Sequence, residues 1–171
     1  EFNIVNNIKH IHTLDDNTYI ITNSNELFVR GNMGKGQKYN SVESEAKQYF
    51  HKITKRYNNL DIFNNIKDIT TYPGSNELFV LTNNNKVYTI NDNSYTLLYN
   101  NIKEIFYNET LYLVDNSNIL TDGSNIILQN IKQINHNLNT SLITIIDTSN
   151  DIYYMGKQTN INLYDKYLNN T

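Results

Sequence analysis

Short apolar runs separated by polar, asparagine-rich breaks recur along the whole chain, and four of those breaks are near-copies of one phrase. The copies are Ile4-Val5-Asn6-Asn7-Ile8-Lys9, Ile62-Phe63-Asn64-Asn65-Ile66-Lys67, Leu98-Tyr99-Asn100-Asn101-Ile102-Lys103 and Ile127-Leu128-Gln129-Asn130-Ile131-Lys132. Each has two apolar residues, a polar pair and then Ile-Lys, which predicts a strand ending, a tight turn and a new strand beginning. A supersecondary unit repeated in this way cannot bury its apolar face alone. Its neighbours must stack on it or close with it into a ring.

The second unit is the cleanest. Ile66-Lys67-Asp68-Ile69 opens a first strand, Pro73-Gly74-Ser75 breaks it, and Glu77–Thr82 is apolar enough for a layer covered on both faces. Asn83-Asn84-Asn85 supplies a tight turn. Lys86–Ile90 and Tyr95–Tyr99 then complete four short antiparallel strands, one blade. The third unit repeats this with Ile102–Phe106, Leu111–Val114, Asn118–Leu120 and Ile126–Leu128. The fourth offers Ile131–Ile134, Leu142–Ile146 and Ile152–Met155, then departs at Gly156 with no fourth strand evident. The first has Ile8–Ile11, Tyr19–Thr22, Leu27–Val29 and, after a long insertion, Leu60–Phe63. Because Phe2–Val5 matches the outer strand of the other units, it is expected to pair with the fourth unit and close a ring without open sheet edges. Equivalent Ile residues are spaced by 58, 36 and 29 positions, short and irregular for full blades. The prediction is therefore one all-β domain over residues 1–171, a small β-propeller of about four antiparallel four-stranded blades, with a segment of a larger propeller as the alternative. Closure of the ring would leave the chain a monomer.

Length is consistent with one core, since a chain of 171 residues buries roughly 70% of the surface its unfolded form exposes. A net charge of -3 and a pI near 5.8 offer no general attraction to nucleic acid or to an anionic membrane. No apolar run approaches the roughly 18 residues of a membrane span, and no charged-then-apolar leader is visible. The expectation is no nucleic-acid partner and no membrane insertion. The absence of cysteine excludes disulfides and thiolate metal sites and leaves the compartment open. Asn is abundant, but its residues sit between regular apolar segments and behave as turn formers.

Within these units lie the residues of a known repeat. Ile66-Lys67-Asp68-Ile69, Leu81-Thr82 and Lys86-Val87-Tyr88 in the second unit, Gly31-Asn32-Met33-Gly34-Lys35-Gly36-Gln37 in the first and Tyr154-Met155-Gly156 in the fourth resemble the repeats of the regulator of chromosome condensation family. Met33 stands where that family has Asn. The resemblance implies a β-propeller, and a function drawn from exchange factors for small GTPases, chromatin binders, enzyme inhibitors and bacterial effectors or surface proteins. Fold alone does not choose among them.

The insertion from Gly31 to Asn59 is the segment that breaks the strand rhythm. Asn40 can cap a helix with Glu43 three residues on, and Val42, Ala46, Tyr49, Phe50, Ile53 and Tyr57 fall on one helical stripe, predicting a helix over 41–57. Its other face is basic: Lys35, Lys38, Lys47, Lys52, Lys55 and Arg56 stand against Glu43 and Glu45. A solvated face on a helix packed against its own propeller would look the same. The functional alternative is a docking surface for an acidic partner, with Tyr39, His51, Lys52, Lys55, Arg56 and Tyr57 as contacts.

Other constellations carry less. Gly31, Gly34 and Gly36 lack the Gly-Lys-Ser/Thr of a phosphate loop. His10 and His12, two apart on a strand, share a face as a metal pair could, but no third ligand accompanies them. Asp115-Asn116-Ser117-Asn118 through Asp122 has calcium-like oxygen spacing without the loop Gly or bidentate Glu, and a hairpin turn explains it better. Asp15, Asp16, Asp147 and Asp151 sit in turn-like contexts, and no catalytic set assembles. The sequence thus predicts a non-enzymatic protein-binding module that needs no cofactor or metal. The alternatives are a guanine-nucleotide exchange factor or effector for a small GTPase, and a surface, phage or toxin-associated adhesin that binds glycans.

Overall fold

Every Ile-Lys phrase begins a strand, and the backbone shows why. In a computed structural model that describes residues 6–14, 17–31, 49–53, 65–71, 77–91, 94–108, 110–137, 142–155 and 165–167, the Asn before the Ile takes a left-handed conformation at Asn7, Asn101 and Asn130, with φ near 60°. That region disfavours side chains in general but admits Asn, whose short amide bonds locally. The Ile then pairs across the sheet, Ile8 with Thr22, Ile66 with Thr82 and Ile131 with Asp147. The register slips at the next residue, so Lys9, Lys67 and Lys132 occupy β-bulges. The bulge returns the following apolar residue to the same face as the Ile.

Four antiparallel sheets of four strands each result, and they are all-β as the sequence predicts. The first comprises β1 (Ile8–Leu14), β2 (Asn17–Thr22), β3 (Leu27–Gly31) and β4 (His51–Lys52). The second comprises β5 (Ile66–Thr70), β6 (Leu78–Thr82), β7 (Lys86–Ile90) and β8 (Tyr95–Asn100). The third is built from β9 (Ile102–Asn108), β10 (Thr110–Asp115), β11 (Leu120–Thr121) and β12 (Ile126–Leu128). The fourth is built from β13 (Ile131–Asn137), β14 (Leu142–Asp147), β15 (Ile152–Met155) and β16 (Asp165–Tyr167).

Two expectations change. No helix occurs among the described residues, and His51 and Lys52, placed by the sequence in a helix over 41–57, form strand β4 on β3 instead. Ile53 explains the difference: it is fully buried in the core beside β3, with its N–H on the Leu27 carbonyl at 2.8 Å. That placement fixes the preceding pair as a strand. Tyr49 and Phe50 just before them are not helical either, while residues 41–48 and 54–57 of the predicted helix and the predicted strand Leu60–Phe63 lie outside the described residues. The fourth sheet does have a fourth strand, β16, beside β15. It therefore fills the place that Phe2–Val5 was expected to take, and Phe2–Val5 itself lies outside the described residues.

The chain divides into two compact units, Glu1–Ile105 and Phe106–Thr171. In the first, Tyr19, Ile21, Leu27, Val29 and Ile53 of the first sheet pack against Ile66, Ile69, Leu78, Val80, Tyr88 and Ile90 of the second. In the second, Val114 and Leu120, with Tyr112 beside them, pack against Ile131, Ile143 and Ile145 of the fourth sheet, and Phe106 joins them. The first sheet thus presents a trailing face to the leading face of the second, and the third sheet does the same to the fourth. All of β6 is buried, as its apolar run predicts for a strand covered on both sides.

The second hairpin of each sheet is a further repeat. Asn25, Asn85, Asn118 and Asn150 again have φ between 60° and 66°, and the residue three before each is Thr22, Thr82, Asp115 or Asp147. Its side-chain oxygen caps the turn: Asp115 Oδ1 accepts from Ser117 and Ile119 N–H at 2.8 and 2.9 Å, and Asp147 Oδ1 from Ser149 and Asp151 N–H at 2.9 Å each. The same turns bond beyond their own hairpin, both within a sheet and to the next. Within a sheet, Asn23 N–H donates to the Asn7 carbonyl at 2.7 Å, and Thr148 N–H to the Asn130 carbonyl at 2.9 Å. The turn carbonyls of Asn85 and Asn118 in turn accept from Ile102 and Ile131 N–H, each at 3.0 Å.

Candidate interaction surface

The connection between β3 and β4 is the longest between described strands of one sheet, running from Gly31 to His51, whereas β7 to β8 and β11 to β12 need only 91–94 and 122–125. Its return end is firmly held. Lys52 pairs with Phe28 and His51 with Val29 across the ladder, Ile53 is inserted in the core, and Lys52 Nζ reaches Glu26 Oε1 at 2.5 Å. The two side chains are 39% and 33% exposed, so the pair positions the side chain more than it stabilises the fold. His51 is half-buried, and its Nε2 is buried without a hydrogen-bond partner among the described residues. Of the six residues expected to contact a partner, the structure brings His51 and Lys52 side by side on β4. Tyr39, Lys55, Arg56 and Tyr57 lie outside the described residues.

The other sequence candidates resolve into structural roles. His10 and His12 do share a face, with ring centroids 6.1 Å apart. What His12 meets is Asp68 of β5, its Nε2 lying 3.2 Å from Asp68 Oδ1. Spacing could not reveal this carboxylate, because it belongs to the next repeat and is distant in sequence. Among the described residues no group of three or more potential metal ligands forms; the His12–Asp68 contact bridges adjacent sheets. Asp115 and Asp147 are turn caps, and Asp147 Oδ2 also accepts from the Tyr153 hydroxyl at 3.1 Å. Asp122 forms a second such turn, accepting from Ser124 and Asn125 N–H at 2.9 and 2.7 Å. The Asn125 side-chain amide, followed by those backbone donors, holds its carboxyl below the usual carboxylate range. Asp15 and Asp16 lie outside the described residues.

The sequence matches no protein-family model and no curated protein. Its fold is matched by solved structures. Human WBSCR16 superposes with a TM-score of 0.64 at 9% identity, over 88% of this chain and 48% of that one. Prp20p of Saccharomyces cerevisiae, the yeast RCC1, does so with a TM-score of 0.58 at 12% identity, over 88% of this chain and 44% of that one. The sheets share the β-propeller fold of these structures. The N-terminal domain of Nup159 matches more loosely, with a TM-score of 0.53 at 10% identity over 95% of this chain and 44% of that one. Such low identities speak for fold alone. The chain spans about half the length of these solved RCC1-type propellers, whose own structures describe Prp20p with its binding to Gsp1p and histones, and bound to Kap60.

Proposed function

We propose that this chain is a non-enzymatic protein-binding module of the RCC1 propeller type, and that the connection between β3 and β4 is its recognition element. The observation that carries the reading is the fastening of that connection. A long segment is anchored at its return by a ladder, a buried Ile53 and the Lys52–Glu26 pair, while the corresponding connections in the second and third blades are short. Long insertions on a rigid scaffold are where propellers and other repeat folds place binding residues. The excess of Lys and Arg between Lys35 and Arg56 suits an acidic protein surface, with Tyr39, His51, Lys52, Lys55, Arg56 and Tyr57 as contacts and no cofactor required.

Affinity capture from extract with the intact chain, followed by titration of the partner obtained, tests this. Reversing Lys55 and Arg56 to Glu is expected to weaken binding at least tenfold and to flatten its salt dependence, because charges at an interface rim act over a Debye length. Unchanged affinity at low and moderate salt refutes the assignment of the site. A second reading, exchange activity on a small GTPase, is favoured by the likeness to Prp20p, whose structure is described with its binding to Gsp1p. Nucleotide release from a panel of small GTPases distinguishes it, since a passive binder leaves the release rate unchanged.

A further inference from the structure

Each of the four sheets ends on an outer strand, and among the described residues three of these are short or charged. β4 is the pair His51–Lys52, β12 is the three residues Ile126–Leu128, and β16, Asp165–Tyr167, holds an acid and a base in three residues. Short and charged edges are how sheets avoid joining side by side. β8 of the second sheet has neither protection. It runs for six residues, Tyr95–Asn100, without a charge or a proline, and Thr96, Leu97, Leu98 and Asn100 are exposed. Leu97 and Leu98 keep 42% and 38% of their surface in water. The strand is nevertheless firmly placed, since five of its residues pair with β7 and the Tyr95 ring packs on the core with its centroid 6.0 Å from that of Tyr88. Its other side ends the sheet. A row of outward backbone groups of this kind is matched in full by one more strand.

The faces of β8 select which strand that is. Residues opposite one another across a ladder share a face, so Tyr95, Leu97 and Asn100 lie on the side of Ile90, Tyr88 and Lys86, and Thr96 and Tyr99 on the side of Thr89 and Val87. Leu98 is the extra residue of a bulge. Without it the faces would alternate strictly, and a two-fold axis placed between two residues would set opposite faces against each other. With it, the order of faces reads the same from either end. Turned about an axis between Leu97 and Leu98, the strand sets Tyr95 against Asn100 and Thr96 against Tyr99, each pair on one face. The exposed leucines of the two copies then meet at the axis, and no charge opposes its like. An unrelated strand of regular alternation must leave Leu98 unpaired, as β7 does, and so forgoes one of those leucines.

We propose that this edge joins two copies of the chain, β8 against β8 in antiparallel register, so that two four-stranded second sheets become one sheet of eight strands. The contact is isologous: the same strand serves on both sides, and association closes at two. It lies wholly within the second blade.

The intact 20.0 kDa chain is expected to run at twice that mass in light scattering after size exclusion at high concentration. It should fall to the monomer mass on dilution, because an edge of six residues makes a small interface. Leu97→Lys with Leu98→Lys is expected to leave only monomer at every concentration, whereas Leu97→Val with Leu98→Val, which keeps the edge apolar, retains the dimer. An unchanged circular dichroism spectrum shows that each variant folds, as exposed sites permit. Cross-linking reads the register whether or not the lysine variant folds, and the chain has no cysteine of its own to interfere. Differently tagged Thr96→Cys and Tyr99→Cys chains, mixed and mildly oxidised, are expected to join 96 to 99 in preference to either residue with its own kind. A monomer at every concentration overturns the proposal and leaves the edge to a strand of another protein. A dimer that survives the lysine pair overturns it by placing the contact elsewhere, and preferential joining of 96 to 96 or of 99 to 99 overturns it by refuting the register.

Discussion

Ile69 and Ile11 occupy the same repeat position, one buried at 3% and the other exposed at 60%, so truncating each to Ala separates burial from every local property they share. The change removes three carbons, each worth about 0.8 kcal/mol when fully buried, or roughly 2.4 kcal/mol. At Ile69 the surrounding Tyr19, Ile21, Leu78 and Val80 leave a cavity that relaxes only in part, so the total should reach about 3 to 4 kcal/mol, within the range for such truncations. At Ile11 less than half of the transfer energy applies and no cavity forms, which limits the loss to about 1 kcal/mol. The assay is urea unfolding followed by far-ultraviolet circular dichroism. The transition that Ile69→Ala moves is taken as that of the first unit, and an unchanged slope confirms that midpoints report stability. Similar losses for the two variants would refute the packing of the second blade's leading face on the first blade.

Two further outcomes test the turns and the core. Asn85 holds φ at 60° in the second hairpin of its blade, so Asn85→Ala should cost about 1 kcal/mol, and Asn85→Gly nearly nothing, by the same unfolding measurement. Equal losses would mean that the Asn side chain, and not the backbone conformation, is what the turn requires. Burial, with the nearby Tyr95 second, raises the Tyr88 phenol above its ordinary value of 10.0. The fold therefore keeps a proton there that the unfolded chain releases: the contribution is intact below about pH 10 and is lost as pH rises through the raised value. Stability measured across that alkaline window should fall less steeply in Tyr88→Phe than in the parent, and parallel curves would refute the assignment.

The blades were legible because their signals are local and repeated. The strand β15 coincides with its expected bounds, Ile152–Met155, while β6, β8 and β14 differ from theirs by one terminal residue each. Apolar alternation and Asn turns act within a few residues, and the same phrase returns in each blade. What the sequence concealed are the strands that carry no such pattern. β4 is a two-residue strand, His51–Lys52, and β16 is Asp165–Tyr167, mostly polar. Both are outer strands held by their neighbour's ladder, and neither has an apolar period to announce it. Around β4 the spacing of Tyr49, Phe50 and Ile53 mimics a helical stripe, although Ile53 is buried as part of a blade core. The site was less legible still. Only His51 and Lys52 of its proposed residues lie among those described, and the partners that give His12 and Lys52 their setting, Asp68 and Glu26, come from other strands or turns.

The hairpin turns also bear on where recognition can reside. The turns after β2, β6, β10 and β14 are capped by Thr22, Thr82, Asp115 or Asp147 and held by a left-handed Asn. Two of them further use a backbone carbonyl to join one blade to the next, Asn85 to Ile102 and Asn118 to Ile131. A turn whose donors and acceptors are committed in this way cannot vary its conformation to suit a partner without unstitching two blades. Each buried backbone bond lost would leave an unsatisfied group, at a cost of about 1 to 3 kcal/mol. Among the described residues, the connection from β3 to β4 is fastened at its return by His51, Lys52 and Ile53. That commitment is the physical reason for assigning the stability of the fold, and not recognition, to the asparagine turns.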